Sequence, residues 1–71
     1  MKKDEIGRFV AKRRKALRVT QRELARLCGI STHALCDLEC GAGNPTFDLI
    51  EDVLDALGLE IRLQPKNLGM A

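Results

Sequence analysis

Apolar residues recur in two rhythms along this 71-residue chain, a helical one up to Gly58 and a strand-like one after it. From Asp4 to Leu17 the apolar positions Ile6, Phe9, Val10 and Leu17 fall within about 100° of one another at 3.6 residues per turn. This predicts a first helix, capped by Asp4, that buries one stripe. Thr20-Gln21-Arg22-Glu23 then has the spacing of a capping box, in which hydroxyl and carboxylate each accept a hydrogen bond from an otherwise unpaired backbone N–H. A second helix starts there, with Leu24, Ala25, Leu27 and Cys28 as its apolar side and Gly29 as its stop. Ser31 is the next cap, for a third helix from Thr32 to Cys40 closed by Gly41. The stretch Gly41-Ala42-Gly43-Asn44-Pro45 reads as a loop. Thr46 caps a fourth helix with Phe47, Ile50, Val53, Leu54 and Leu57 on one stripe, ended by Gly58. The rhythm then shifts to strict alternation over Leu59-Glu60-Ile61-Arg62-Leu63-Gln64, a strand pattern stopped by Pro65. A lone strand leaves its backbone unpaired, so it either pairs with another chain or is no strand. Residues 65–71 show no periodicity and read as a loose tail.

Composition narrows the class. A chain of 71 residues with 45% apolar and 31% charged side chains makes one small domain, too short for most enzymes. No apolar run approaches the roughly 20 residues that span a bilayer. Met1-Lys2-Lys3 leads into Asp4-Glu5 rather than an apolar stretch, so no secretory signal is read and the cytoplasm is the expected compartment. Three cysteines, an odd number, argue against a disulfide scaffold. The net charge of +2 hides an asymmetry, because residues 1–26 carry net +7 and residues 27–71 net −5. The basic half suits an anionic partner such as nucleic acid, although a solvated helix face would look the same.

Two short capped helices, 20–28 and 31–40, joined by a tight turn at Gly29 make a helix-turn-helix arrangement. In such a unit the second helix enters the major groove, where each base pair displays its own donor and acceptor pattern. At about 100° of rotation per residue, Ala34, Leu35 and Leu38 share one arc of the third helix. His33, Cys36, Asp37 and Cys40 share the opposite arc, with Thr32 at its margin.

Thr20-Gln21-Arg22-Glu23-Leu24-Ala25, Gly29-Ile30-Ser31, Leu35, Leu38-Glu39 and Gly41 resemble the signature of the Cro/repressor (XRE-type) helix-turn-helix family. The stretch from Val53 to Leu63, with Pro45-Thr46 before it, is similar to the HipB-type antitoxins of bacterial toxin–antitoxin operons. The resemblance implies an all-α, four- to five-helix repressor-type domain over residues 1–64, with a short β-strand at about 59–64 pairing across a homodimer through Leu59, Ile61 and Leu63. It also implies roles for matching positions. Gln21 would hold a phosphate together with free N–H groups of the helix start, the alternative being a solvated polar residue. Thr32, His33 and Asp37 would face base edges, with Cys36 on the same arc as a further DNA-binding residue. Asp37 departs from the commoner amide or basic residue, and either accepts from a cytosine amine or points into water. Arg13, Arg18, Arg22 and Lys12 are candidate phosphate contacts, and Arg18 stands at a turn position where the family usually has glycine. Arg14 and Glu39 match an arginine–glutamate pair that fixes the recognition helix against the first helix; Arg14 would still have N–H groups to offer a phosphate.

His33, Cys36 and Cys40 lie at i, i+3 and i+7, a spacing compatible with metal ligation. Three ligands on one helix need a fourth from elsewhere, so incidental thiols are expected, with no metal or other cofactor, and Cys28 is read as a small core residue. No nucleophile and base are paired, so no enzyme is expected. The resulting expectation is a bacterial, cytoplasmic and nucleoid-associated repressor. It would bind an inverted-repeat operator in double-stranded DNA as a homodimer, with a HipA-like kinase toxin as a further partner. The alternatives are a stand-alone phage or restriction-controller regulator, a protein-interaction module using the acidic residues Asp48, Glu51, Asp52 and Asp55, and a redox or metal sensor acting through Cys36.

Overall fold

The computed structural model describes residues 2–66. Among them are four helices, α1 (Lys3–Ala16), α2 (Gln21–Cys28), α3 (Thr32–Cys40) and α4 (Phe47–Ala56), and no strand. The tail expected over 65–71 lies, from residue 67 onward, outside the described residues.

Side chains start three of the helices. Thr20 accepts from the Glu23 N–H while the Glu23 carboxylate accepts from the Thr20 N–H, both at 3.1 Å, which completes the capping box of α2. That second bond holds the Glu23 carboxyl below the usual carboxylate range. Ser31 and Thr46 accept from the N–H groups of Ala34 and Leu49 and start α3 and α4. The first helix differs from expectation. It begins at Lys3 with Lys2 as its uncapped N-terminal residue, so Asp4 sits inside the first turn, where its charge meets the helix dipole instead of capping a free N–H.

All four helices stop in the same way. Arg18, Gly29, Gly41 and Gly58 are left-handed, with φ of 58°, 69°, 73° and 71°. In each case the next residue, Val19, Ile30, Ala42 or Leu59, donates its N–H to a carbonyl five residues back. This is the Schellman stop, and a residue without Cβ fits its left-handed seat best.

The core is Val10 from α1, Leu24 and Ala25 from α2, Leu35 and Leu38 from α3, and Val53, Leu54 and Leu57 at α4. It is narrower than the apolar stripes. Phe9, Leu27 and Phe47 are 64%, 72% and 60% exposed, and Leu17 is exposed too. Each was expected on a buried stripe. The residue beside it on the helix, Val10 for Phe9 and Cys28 for Leu27, takes the inward place instead. Cys28 packs against the core as expected, and its thiol lies 3.8 Å from the Asp52 carbonyl. Burial pushes that thiol up, and Asp52 adds to the effect.

The segment after Gly58 runs without regular structure. Leu59 and Ile61 pack against the core of their own chain while Glu60 and Arg62 face water, and Leu63 is 93% exposed. The alternation therefore reports one-sided burial at residues 59 and 61. No second strand lies within the described residues to supply a ladder, so residues 59–64 form none here.

Candidate nucleic-acid interface

Helices α2 and α3, joined at Gly29, pack on each other, and α3 packs along α1. The approach of α3 to α1 is set by Gly7. A methyl group there would collide with the carbonyl oxygens of Leu38 and Glu39, the latter at 2.7 Å. This position was missed in the sequence. Its signal was a single glycine inside an otherwise helical pattern, a feature that commonly marks close backbone approach.

A buried polar cluster sits at the same junction. Arg14 donates from Nε to Glu39 Oε2 at 2.7 Å and from Nη2 to Glu39 Oε1 at 3.0 Å, a two-pronged ion pair between α1 and α3. Its third N–H group, on Nη1, donates to the Val19 carbonyl at 2.8 Å, which ties in the α1–α2 turn. Gln21 Nε2 donates to Glu39 Oε1 at 3.0 Å and adds α2. Burial alone would raise the Glu39 carboxyl, but the bonds from Arg14 and Gln21 outweigh it and hold the group below the usual carboxylate range. The same hydrogen bond to Glu39 raises the pKa of Arg14 against its desolvation. One carboxylate thus joins three elements, and no buried side-chain nitrogen or oxygen lacks a partner among the described residues.

The expected site residues divide into two groups. Thr32 and His33 are exposed on α3, with Cys36 and Asp37 half-buried beside them, and Lys12 on α1, Arg18 in the turn after it and Arg22 on α2 are exposed. His33 Nε2 lies 3.4 Å from Asp37 Oδ2, so a protonated His33 would pair with that carboxylate. Gln21 and Arg13 are half-buried, and their side chains are engaged within the fold instead. The Gln21 side chain is engaged by Glu39, leaving only its remaining N–H for a phosphate. Arg13 donates from Nε to the Leu57 carbonyl at 3.0 Å and thereby closes the end of α4. The carbonyls at a helix C-terminus attract a cation, and this pull operates without DNA. The three residues at i, i+3 and i+7 do not assemble into a ligand trio, and no cluster of three or more metal-ligating side chains exists among the described residues. Cys36 is raised chiefly by the neighbouring Cys40 thiol as a hydrogen-bond partner.

Two capped helices around a left-handed glycine, with the second held rigidly against a third and its outer arc left polar, define a helix-turn-helix domain. Residues 5–64 match a family described as "Helix-turn-helix domain", and the chain belongs to that family. The chain is also similar to the crystal structure of the clp gene regulator ClgR from Corynebacterium glutamicum, with 32% sequence identity and a TM-score of 0.76. That similarity covers 80% of this chain and 61% of ClgR, so the chain spans about three-fifths of that regulator. No curated protein matches the chain. No helix among the described residues is long and apolar enough to cross a membrane.

Proposed function

We propose that this protein is a sequence-specific DNA-binding transcriptional repressor, with Thr32, His33, Cys36 and Asp37 facing base edges and Arg18, Arg22 and Lys12 facing phosphates. The observation that carries the reading is the Arg14–Glu39–Gln21 cluster. It fixes the orientation of α3 relative to α1 and α2 while leaving the arc from Thr32 to Asp37 open. Preorganised placement of that arc is what base readout in the major groove requires. The net +7 of residues 1–26 supports phosphate attraction.

The repressor acts as a homodimer on an inverted repeat with half-sites about one helical turn apart. Exposed Phe9, Phe47 and Leu63 support this, as does the groove of Phe9, Ile50, Leu54, Leu59 and Ile61 between α1, α4 and the C-terminal segment. In the dimer, residues 59–64 gain from the two-fold mate the ladder that a single chain does not provide. Within this reading the protein is the antitoxin of a HipA/HipB-like module that represses its own operon. The similarity to ClgR favours a second reading, a stand-alone gene regulator with no toxin.

Footprinting on the chain's own promoter tests the proposal. Protection of a palindrome that is lost in the Thr32→Ala/His33→Ala double variant supports it, and affinity without sequence preference overturns it. Truncation after Gly58 leaves a monomer if residues 59–64 pair chains. Co-purification with a kinase encoded beside it separates the antitoxin from the stand-alone regulator.

A further inference from the structure

The outward arc of α3 carries two thiols that neither the core nor the Arg14–Glu39–Gln21 cluster uses. Cys36 is half-buried and Cys40 is exposed, and they stand at i and i+4, one turn apart on the same face of α3. Side chains at i and i+4 of a helix have Cβ atoms about 5–6 Å apart. A disulfide needs a Cβ separation of about 3.5–4.5 Å, so this pair cannot close one while α3 stays helical. A bridging ion relaxes that limit, since two metal–sulfur bonds of about 2.3 Å each place the sulfurs about 4.6 Å apart. Zinc is a poor occupant, because it takes four ligands and no third His, Cys, Asp or Glu side chain joins the pair among the described residues. The lone imidazole of the chain, on His33, faces Asp37 instead. Two thiolates and nothing else suit a soft monovalent cation.

We propose that Cys36 and Cys40 form a two-coordinate site for a soft, thiophilic monovalent cation of the Cu(I) or Ag(I) type, and that loading it releases DNA. Binding replaces two S–H bonds by two S–metal bonds and sends two protons to solvent. The site thereby passes from neutral to a net charge of −1, on the helix arc that meets DNA. A new negative charge and a bulkier group there both oppose phosphate approach. The release half of the proposal rests on the DNA-binding reading above, whereas the ion site does not.

Full-length protein, reduced and anaerobic, is titrated with Ag(I) while bound ion is counted by native mass spectrometry and DNA affinity is followed by anisotropy. One tightly held ion per chain and at least a tenfold loss of DNA affinity are expected. Cys36→Ser and Cys40→Ser should each remove both effects, and Cys28→Ser should leave them intact. Tight one-to-one binding that survives in the Cys36→Ser/Cys40→Ser double variant, or is lost in Cys28→Ser, overturns the site. Loaded protein that binds DNA as well as the free protein overturns the release. If the metal-free protein binds no DNA, the DNA-binding reading fails, and the ion count alone judges the site.

Discussion

Replacing Arg18 by glycine should make the protein more stable and a weaker DNA binder. Arg18 occupies the left-handed seat at the end of α1, with φ of 58°, in a stop that the other three helices build on glycine. For a residue with a Cβ this conformation costs about 1–2 kcal/mol. Glycine removes that cost but widens the unfolded ensemble, which returns about 0.4–1 kcal/mol. The net gain is about 0.5–1 kcal/mol, and for a domain of this size each kcal/mol moves Tm by about 4–8 °C. A thermal melt of Arg18→Gly should therefore rise by about 4 °C. The backbone bonds of the stop, from Arg18 N–H to the Lys15 carbonyl and from Val19 N–H to the Arg14 carbonyl, survive the change. If Arg18 meets a phosphate, the same variant loses affinity and its log-affinity against log-salt slope becomes shallower by about 0.9. Stability and binding then move in opposite directions, the signature of strain retained for function. A lower Tm would refute the strain argument, and a higher Tm with an unchanged salt slope would refute the phosphate contact.

Gly7→Ala sets helix propensity against packing: the exchange favours an isolated helix by about 1 kcal/mol. Its methyl, however, strikes the Leu38 and Glu39 carbonyls, for an overpacking cost of up to about 3 kcal/mol. Urea titration should show a net loss of about 2 kcal/mol, and a more stable variant would contradict the close approach. Glu39→Ala leaves the Arg14 charge buried and unpaired, which should cost about 3 kcal/mol by the same titration. Because the folded-state pKa of Glu39 lies below its unfolded value, its contribution is complete above the unfolded pKa of about 4.3 and fades as pH falls through the lower folded value. Stability of Glu39→Gln measured between pH 3 and 7 should accordingly fall less steeply on the acid side than that of the wild type. Arg13→Ala should lower stability by about 1 kcal/mol through the lost bond to Leu57 and leave the salt slope of DNA binding unchanged. A shallower slope would return Arg13 to the phosphate contacts.

What could be read from the sequence and what could not divide by the range of the interaction. The caps at Thr20, Ser31 and Thr46 involve groups three residues apart, so the sequence alone contains both partners. The Arg14–Glu39 pair spans 25 residues and follows no period; only the family resemblance suggested it, and the part of Gln21 in it escaped notice. Gln21 was given to phosphate because its position at a helix start offers free N–H groups. The nearer claim on its amide came from a carboxylate that only the tertiary fold brings within reach. Arg13 went the same way, drawn to the end of a helix 44 residues distant.

The misplaced aromatics have a different cause. Periodicity records which positions avoid water, without recording what covers them. Phe9 and Phe47 satisfy the helical pattern as well as Val10 and Val53 do, yet within one chain the first two are open and the last two are closed. The alternation at 59–64 is the same case in a second rhythm, fulfilled at Leu59 and Ile61 by the chain's own core and unfulfilled at Leu63. Phe9 lines a groove on one side of the C-terminal segment and Phe47, with Leu63 of the segment itself, lines one on the other, whereas Leu17 and Leu27 are open elsewhere. An apolar pattern written for one chain's core alone would have no reason to fail on both flanks of one segment. A pattern written for that core and a second surface would fail there first.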